Sequence, residues 1–373
     1  MRDPAALGFR MPAEWEAHRA TWLSWPHNVE TWPEELELVE RTLVRAVACI
    51  GAGEDVFINV VDAGHERHVA RLLHGALDRR RIRFFRIPTN DAWARDHGPI
   101  FVTRREDQFR EVAATIWRFN SWGRKYPPWD LDERAAESMA HALGVPIFDG
   151  AIVLEGGSIE TNGRGTLVTT ESCLLHPNRE RSWDRETTTG HLKRFFGAAQ
   201  VVWLGDGLAG DDTDGHIDDL ARFVADDVIL TVVEEDPADP NFLPLDENLR
   251  RLQEVTLPDG RRPRIITLPS PRPLYVRGER MPASYANFYI CNAAVLVPTF
   301  GDPADARALE TLAAAFPARE VVPVPSREII WGLGGIHCLT QQVPEGVPAQ
   351  SGLVGTAVSR KSEVSSRNDD SSG

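Results

Sequence analysis

A candidate nucleophile occurs in the stretch GLGGIHCLTQQ, which spans residues 332–342. Its cysteine, Cys338, is not surrounded by the kind of apolar run that would explain it as a core residue. The other three cysteines lie beside Leu, Val or Ala residues and are interpreted as small buried hydrophobes, the usual role of a free cysteine; they are Cys49, Cys173 and Cys291. A chemical role is therefore predicted for Cys338 alone.

The residues just before Cys338 are unusually rich in glycine. Gly332, Gly334 and Gly335 lack a Cβ atom, so the backbone there can adopt a positive φ or lie directly against a substrate. The adjacent His337 is a poor candidate for a base, because successive side chains of an extended segment point to opposite faces. We therefore expect the partner of Cys338 to come from another part of the chain.

A polar cluster, DTDGHIDD, occupies residues 212–219. In an extended segment Asp214, His216 and Asp218 would share one face, because they are spaced by two. Three polar groups on one face indicate a ligand site. Asp and Gly are also common in turns, so a turn or capping cluster is the alternative interpretation.

Two more clusters supply acidic residues. The stretch NDAWARDHGP contains Trp93 and Asp96, and EGGS contains Glu155. A buried carboxylate without a partner is costly, so Asp96, Glu155 and Asp218 around one cleft would require a positively charged ligand. A guanidinium group fits this requirement, because its planar fork binds carboxylates through paired hydrogen bonds and stacks on aromatic faces such as that of Trp93.

The elements that position these clusters form a repeating pattern. A β-rich run, an amphipathic helical stretch and a second β-rich run recur five times. The helices are predicted near His65 to Asp78, Asp132 to Leu143, Arg185 to Phe196, Leu245 to Val255, and Pro303 to Ala315. A polar cluster follows the second β-rich run of every unit except the fourth. The segment that leaves the fourth unit, PRPLYVRG, contains no obvious group of candidate residues. If the units surround an axis, the segments that leave them meet at one end of that axis. This arrangement favours one domain over two.

The composition limits the classes of partner. Of 373 residues, 42% are hydrophobic and 26% are charged, and the net charge is −14. This balance disfavours nucleic acid, which requires a basic face, and is compatible with a cationic ligand. The cysteines show no C-x-x-C pair, and the first 32 residues contain no unbroken apolar run. We therefore expect reduced thiols in a cytoplasmic protein without a signal peptide or membrane span.

Metal-binding motifs are not expected. His65 and His68 have the wrong spacing for a zinc protease. Gly210 and Ala221 stand where a calcium loop of the EF-hand type needs acidic residues. No cofactor is predicted.

Taken together, five stretches in order resemble the agmatine deiminase family, within the larger group that includes bacterial-type peptidylarginine deiminases. They are MPAEWEAHRATWLSWP, NDAWARDHGP, LEGGSIETNGRGTLVTTESCLLHPNR, DTDGHIDDLARF and GGIHCLTQQ, which run from Met11 to about Val343. The resemblance implies an α/β fold, a five-bladed α/β propeller (pentein) of ββαβ units with pseudo-fivefold symmetry. It implies one catalytic domain over residues 1–348, and the Ser-rich composition of residues 349–373 predicts a disordered tail.

The resemblance also implies roles for the candidate residues. Cys338 would be the nucleophile and His216 the acid and base. Asp96 and Asp218 would hold the guanidinium, and Glu155 would support His216 and the substrate. The predicted substrate-binding residues are Trp93, Asp96, Asp218 and Gly335.

Three functions are carried forward. The first is hydrolysis of agmatine, a small cationic guanidine, to N-carbamoylputrescine and ammonia through a covalent amidino-cysteine. The second is the same chemistry on another guanidine, such as free arginine or peptidyl-arginine, or with transfer to an amine. The third is non-catalytic binding of a guanidine or polyamine. Leu333, Ala94 and His97 depart from the family pattern near the pocket wall and leave the choice of substrate open; relatives suggest a homo-oligomer.

Overall fold

The structure is a computed structural model that describes residues 3–106, 108–179 and 183–350. All but the first two residues of the predicted tail, 349–373, lie outside these ranges. The prediction of disorder for that tail therefore stays a prediction.

The described residues form nineteen strands and nine α-helices. The strands are β1 (His18–Ser24), β2 (Asp55–Asn59), β3 (Ile82–Phe85), β4 (Ile100–Glu106), β5 (Phe109–Arg118), β6 (Ile147–Val153), β7 (Glu160–Thr161), β8 (Thr166–Thr170), β9 (Gln200–Leu204), β10 (Ala221–Ala225), β11 (Val228–Val233), β12 (Arg264–Pro269), β13 (Tyr275–Val276), β14 (Glu279–Arg280), β15 (Tyr289–Ile290), β16 (Ala294–Thr299), β17 (Glu320–Pro325), β18 (Thr340–Pro344) and β19 (Val347–Pro348). The helices are α1 (Leu36–Ile50), α2 (Ala63–Leu72), α3 (Ala94–His97), α4 (Ser121–Arg124), α5 (Asp130–Leu143), α6 (Glu171–Leu174), α7 (Arg185–Phe196), α8 (Phe242–Gln253) and α9 (Ala304–Ala315).

Five sheets share one construction. Each contains an antiparallel pair, namely β18 with β1, β4 with β5, β7 with β8, β10 with β11, and β15 with β16. Each also contains a parallel pair joined through a helix, namely β2 with β3, β5 with β6, β8 with β9, β11 with β12, and β16 with β17. The fold is therefore mixed α/β, with a separate two-stranded hairpin of β13 and β14.

The five predicted repeat units are confirmed as strand, helix and strand, with two corrections. The first helix ends at Leu72 and does not continue to Asp78, because the chain turns before Asp78 caps a 3-10 helix that begins at Arg79. The first sheet also contains an extra parallel connection, from β1 through α1 to β2, which the repeat pattern did not include.

Local sequence explains the helices. In α1 the buried Val39, Leu43 and Val47 recur at four-residue spacing and form one apolar stripe. Helix α2 begins after Asp62, whose side chain accepts hydrogen bonds from two backbone N–H groups of the first turn. Helix α7 ends at Gly197, which has a φ of +65° and can adopt this left-handed conformation without a Cβ clash.

The two ends of the described chain meet in one sheet. Strand β18 pairs with β1, so the segment after Cys338 is fixed against the first long strand. The four cysteines are unpaired thiols, as predicted. None of the helices in the described ranges combines the length and the apolar character needed to cross a bilayer.

Candidate active site

Cys338 lies at the wall of a deep cavity of about 750 Å³. Only 6% of Cys338 is exposed to solvent. The same wall contains Trp93 and Asp96 from the loop after β3, and Trp122 from the irregular turn α4. The candidate nucleophile can therefore be reached through a cavity lined by aromatic and acidic side chains.

The sulfur of Cys338 is surrounded by polar groups. The Nδ2 atom of Asn287 donates to Sγ at 3.1 Å, and Sγ lies 3.6 Å from Oδ2 of Asp218. Burial, followed by the charges of Asp218, Asp219 and Asp96, raises the pKa of the Cys338 thiol well above its usual value. In the free protein the thiol thus keeps its proton, and a bound cation would offset the carboxylate charges that oppose the thiolate.

Three candidate residues converge on Gly157. A Cβ atom at this glycine would lie 2.6 Å from His216 Nδ1, 2.9 Å from Asp96 Oδ1 and 3.1 Å from Asp218 Oδ2. The glycine of the EGGS stretch is therefore required because three functional side chains approach the backbone at this point. The structure brings Asp96 of one cluster together with His216 and Asp218 of another, as predicted.

His216 is buried among acidic groups. Its Nδ1 is 3.8 Å from Asp96 Oδ2 and its Nε2 is 4.0 Å from Glu155 Oε2. Burial alone would lower the pKa of His216, but Asp96, the Cys173 sulfur and Asp218 raise it well above the usual value. Both ring nitrogens are buried, and neither has a hydrogen-bond partner among the residues that the structure describes. A protonated imidazole is thus available to donate a proton to a bound ligand.

The two aspartates are fixed by different neighbours. Asp96 accepts from the Gly157 N–H at 2.9 Å and from Trp122 Nε1 at 3.0 Å, and burial raises its pKa. Asp218 Oδ2 lies 2.7 Å from His337 Nδ1. Although burial would raise the pKa of Asp218, the hydrogen bond and charge of His337 lower it. Oδ1 of Asp218 is buried and has no hydrogen-bond partner within the described ranges, so this oxygen can accept from a ligand.

Glu155 is held by an arginine. Its Oε1 lies 2.9 Å from Arg179 Nε, and both side chains are fully buried. Arg179 also contacts Asp214 and donates to the Thr213 carbonyl at 2.7 Å. Burial alone would lower the pKa of Arg179, but the charge of Glu155 contributes most to raising it, so the arginine stays charged and fixes the carboxylate beside His216.

The described residues contain one group that could hold a metal ion. Donor atoms of Glu155, Cys173 and His216 lie within 4.8 Å of one another. Arg179 contacts two of these donors, since its Nη2 also lies 3.5 Å from the Cys173 sulfur. An added cation would meet this positive charge, so the donor set fits a metal ion poorly.

The prediction that Asp214, His216 and Asp218 share one face is wrong. Asp214 has a φ of +67° and Gly215 a φ of +104°, and a 3-10 helix begins at Ile217. The segment therefore turns sharply, so Asp214 binds Lys125 and Arg179 and does not join the other two residues.

The interpretation of the glycines near Cys338 also needs correction. The residue with positive φ is Leu333, at +67°. Gly334 makes room for Trp93, since a Cβ there would lie 2.9 Å from its Cη2 atom, and Gly335 makes room for Asn287, with a Cβ 2.8 Å from its Cγ atom. Packing thus accounts for these glycines. Contact of Gly335 with a substrate stays a prediction, although its N–H faces the Cys338 sulfur and favours the thiolate.

Several residues at the site were not predicted. The exit of the fourth unit, which lacks an acidic cluster, supplies Asn287 to the nucleophile. Trp122 and Arg179 fix Asp96 and Glu155. His337 was correctly excluded as the base of Cys338, but it binds Asp218. For Asn287 and Trp122 the sequence carries no distinguishing signal, whereas Arg179 lies in the HPNR end of a stretch already used for the resemblance.

A sequence model of the Porphyromonas-type peptidyl-arginine deiminase family matches residues 10–344. The chain belongs to this family. The family membership predicted from the motifs is confirmed.

Related proteins and solved structures are similar to this chain over almost its whole length. Agmatine deiminase of Medicago truncatula is 36% identical over 371 residues, which covers 91% of this chain and 98% of that protein. The structure of agmatine deiminase of Enterococcus faecalis matches with a TM-score of 0.86 at 31% identity, covering 92% and 98% of the two chains. A Cys-to-Ser variant of C. jejuni agmatine deiminase with substrate bound matches with a TM-score of 0.82 at 30% identity, covering 91% and 97%.

Proposed function

We propose that this protein hydrolyses agmatine to N-carbamoylputrescine and ammonia through a covalent intermediate on Cys338. The observation that carries the proposal is that the Cys338 thiol and Asp96 line one cavity, while Asp96, Asp218 and a protonated histidine converge on Gly157 beside that thiol. The family relatives named above are agmatine deiminases and support the same assignment.

The first role of the site is to hold a guanidinium in plane. Oδ1 of Asp218 is buried and unpaired, and Asp96 faces the same point around Gly157. Carboxylates bind guanidinium N–H groups through charge-assisted hydrogen bonds. Trp93 in the cavity wall offers an aromatic surface to the ligand.

Binding of the cation prepares the nucleophile. Burial and the neighbouring carboxylates hold the pKa of the Cys338 thiol high while the site is free of ligand. A guanidinium compensates the carboxylate charge, so the thiol can lose its proton to solvent when the substrate arrives. The thiolate then forms a C–S bond to the guanidinium carbon, and His216 gives its proton to the nitrogen that departs as ammonia when the C–N bond breaks.

The second half of the reaction releases the product. His216, now neutral, removes a proton from a water molecule that attacks the amidino carbon. The C–S bond breaks, Cys338 regains its thiol form and the ureido product leaves. Glu155 faces His216 Nε2 and supports the charged form of the ring.

The cavity wall favours agmatine over free arginine. It includes the acidic residues Glu30, Asp91, Asp96 and Asp212, together with one lysine, Lys125. Burial raises the pKa of Asp212 to about 6, so it is mostly charged at neutral pH. An arginine carboxylate would meet like charges here, whereas the second amine of agmatine would be attracted.

The same proposal extends to architecture and assembly. We propose that the five sheets surround one axis as a five-bladed propeller within a single catalytic domain, residues 1–348. Strand β18, which follows the last unit in the chain, pairs with β1 of the first sheet, which supports closure at that point. A small cationic guanidine is the proposed partner, and a homo-oligomer is the proposed assembly.

The test is product formation from a panel of guanidines. Ammonia and the ureido product are measured with agmatine, free arginine and a peptidyl-arginine at equal concentration, for wild type, Cys338→Ala and the control Cys49→Ala, a half-buried cysteine outside the cavity wall. We expect activity on agmatine that is lost in Cys338→Ala and kept in the control. Activity confined to another guanidine would overturn the substrate, and activity retained in Cys338→Ala would overturn the mechanism.

A further inference from the structure

A buried polar network lies behind the nucleophile and is not used by the reaction described above. Its centre is Glu14, which precedes β1 and is only 5% exposed. Oε1 of Glu14 accepts from Arg222 Nη2 at 2.8 Å and from the Ile290 N–H at 2.9 Å. Oε2 lies 2.8 Å from His337 Nε2 and 3.3 Å from Arg95 Nη2.

This network reaches the substrate site through His337. One ring nitrogen of His337 faces Glu14 and the other faces Asp218 at 2.7 Å. Because carboxylates accept hydrogen bonds, each ring nitrogen must carry a proton for both contacts to be hydrogen bonds. The geometry thus requires an imidazolium between two carboxylates.

The contact between His337 and Asp218 sets the orientation of the Asp218 carboxylate. His337 occupies Oδ2, and Oδ1 is left buried and unpaired. The arrangement therefore fixes the rotation of the carboxylate and keeps one oxygen available to a guanidinium. A neutral His337 would remove the positive charge that holds Asp218 in its ionised form.

We propose that Glu14 and His337 are positioning residues that hold Asp218 ionised and oriented for guanidinium binding, an inference that rests on the proposed function. Other charged or titratable groups around Asp218 and His337 are His216, Arg222, Asp96, Asp219, Arg95, Tyr289, Cys338 and Glu160, the last of which acts on His337 through its charge alone. Of these, Arg222 is shared with Glu160, to which its Nε donates at 2.7 Å.

Glu160 provides a matched control. Like Glu14 it is a buried carboxylate bound to Arg222, and it accepts a backbone N–H, from Phe223 at 3.2 Å. No hydrogen bond joins it to His337. Glu160→Gln and Glu14→Gln each weaken the contacts of Arg222, so an effect that comes only from those contacts should appear in both variants. An effect that comes from the positioning of Asp218 should appear only in Glu14→Gln.

The first experiment compares pH profiles of kcat/KM for agmatine in wild type, Glu14→Gln and Glu160→Gln. In Glu14→Gln, Asp218 gains a proton at higher pH, so we expect the acid limb to move up by about one pH unit, equivalent to about 1.4 kcal/mol. At a pH below the acid limb of both proteins we expect KM to be about tenfold higher in the variant, with kcat changed less than about threefold, because binding is weakened. Glu160→Gln keeps the wild-type acid limb. An unmoved limb in Glu14→Gln, or an equal movement in both variants, would overturn the proposal.

A second measurement does not depend on activity or on the substrate. Nitrogen NMR of histidine-labelled protein at pH 7 reports the protonation of each ring nitrogen, and His337→Gln identifies the signal by its loss. We expect a doubly protonated His337 in wild type and a neutral ring in Glu14→Gln. A neutral His337 in wild type would overturn the proposal even if agmatine is hydrolysed. A doubly protonated His337 would support the proposal even if another guanidine proves to be the substrate. If Glu14→Gln does not fold, His337→Gln tests the same shift of the acid limb.

Discussion

The two sides of Cys338 differ in how their buried polar groups are satisfied. On the cavity side, the part of the chain that the structure describes offers no hydrogen-bond partner to either ring nitrogen of His216 or to Oδ1 of Asp218. On the opposite side, the side chains of Glu14, Arg222 and His337 are joined by hydrogen bonds of 2.8 Å. The protein thus leaves unsatisfied groups where a ligand can satisfy them and places a fully bonded network behind them.

This difference separates activity from stability. Unpaired buried groups destabilise a fold, and they are useful only if a ligand supplies the missing partners. Removal of a group on the cavity side should therefore affect turnover more than unfolding. Removal of a group from the supporting network should do the reverse.

The largest effect is expected at His216. His216→Gln should lower kcat/KM for agmatine by about 10²–10⁴-fold, because it removes the proton donor and acceptor. The raised pKa of His216 keeps the acid form through neutral pH in wild type, so activity should fall only as pH rises through that pKa. The variant should lose this alkaline limb, measured in the pH profile of kcat/KM. His74→Gln, at an exposed turn, is the control. An unchanged alkaline limb in His216→Gln would remove His216 from the mechanism.

The supporting network is tested at Arg222. This fully buried arginine binds Glu14, Glu160 and the Phe288 carbonyl. Arg222→Met removes the cation that the buried carboxylates of Glu14 and Glu160 share, and the loss of one partner of a buried ion pair typically costs about 3–5 kcal/mol of unfolding free energy. Urea denaturation of this variant should show that loss, whereas Arg250→Met on an exposed helical surface should show no measurable shift. Equal stability of the two variants would contradict the comparison.

A smaller, pH-dependent effect is expected at Asp132, near the cavity mouth. Burial raises the pKa of Asp132 to about 8, so the folded protein holds a proton that the unfolded chain loses near its ordinary value of about 3.9. The contribution of this group to stability is complete below about pH 4 and declines as pH rises towards 8. Asp132→Asn should thus raise Tm at pH 8 and have little effect at pH 4.

The control for this prediction is Asp130→Asn. Asp130 lies on the same helix turn, but its side chain is 61% exposed. Its Tm difference from wild type should not grow with pH. A constant offset between Asp132→Asn and wild type from pH 4 to pH 8 would show that Asp132 is charged in the folded protein.

Residues that carry chemistry could be found from sequence where their types are unusual for their surroundings. Cys338, His216, Asp96 and Glu155 stand in Gly-rich or acidic clusters at the ends of strands, and the structure brings them together. The repeat pattern placed these ends correctly, because helical and strand periodicities are local properties of the chain.

The supporting residues could not be found in the same way. Glu14 stands in MPAEWEAH, where it resembles an ordinary surface residue, and its burial depends on Arg222 and His337 from distant segments. Asn287 approaches the nucleophile only because the fourth unit folds against the last one. The direction of Asp214 depends on positive φ values that its own sequence does not reveal.

The pairing of β18 with β1 has a consequence for synthesis on the ribosome. The nucleophile and the strand that fixes it are translated after the other catalytic groups, and β18 completes the sheet begun by β1. A nascent chain that has not yet released residues 338–344 therefore holds the acids and the histidine but no thiol to attack a guanidine. It also exposes one edge of β1, an unpaired strand edge that promotes association between unfinished chains. Contacts between such distant segments also slow folding, so catalytic competence should be acquired late, after release of the full chain.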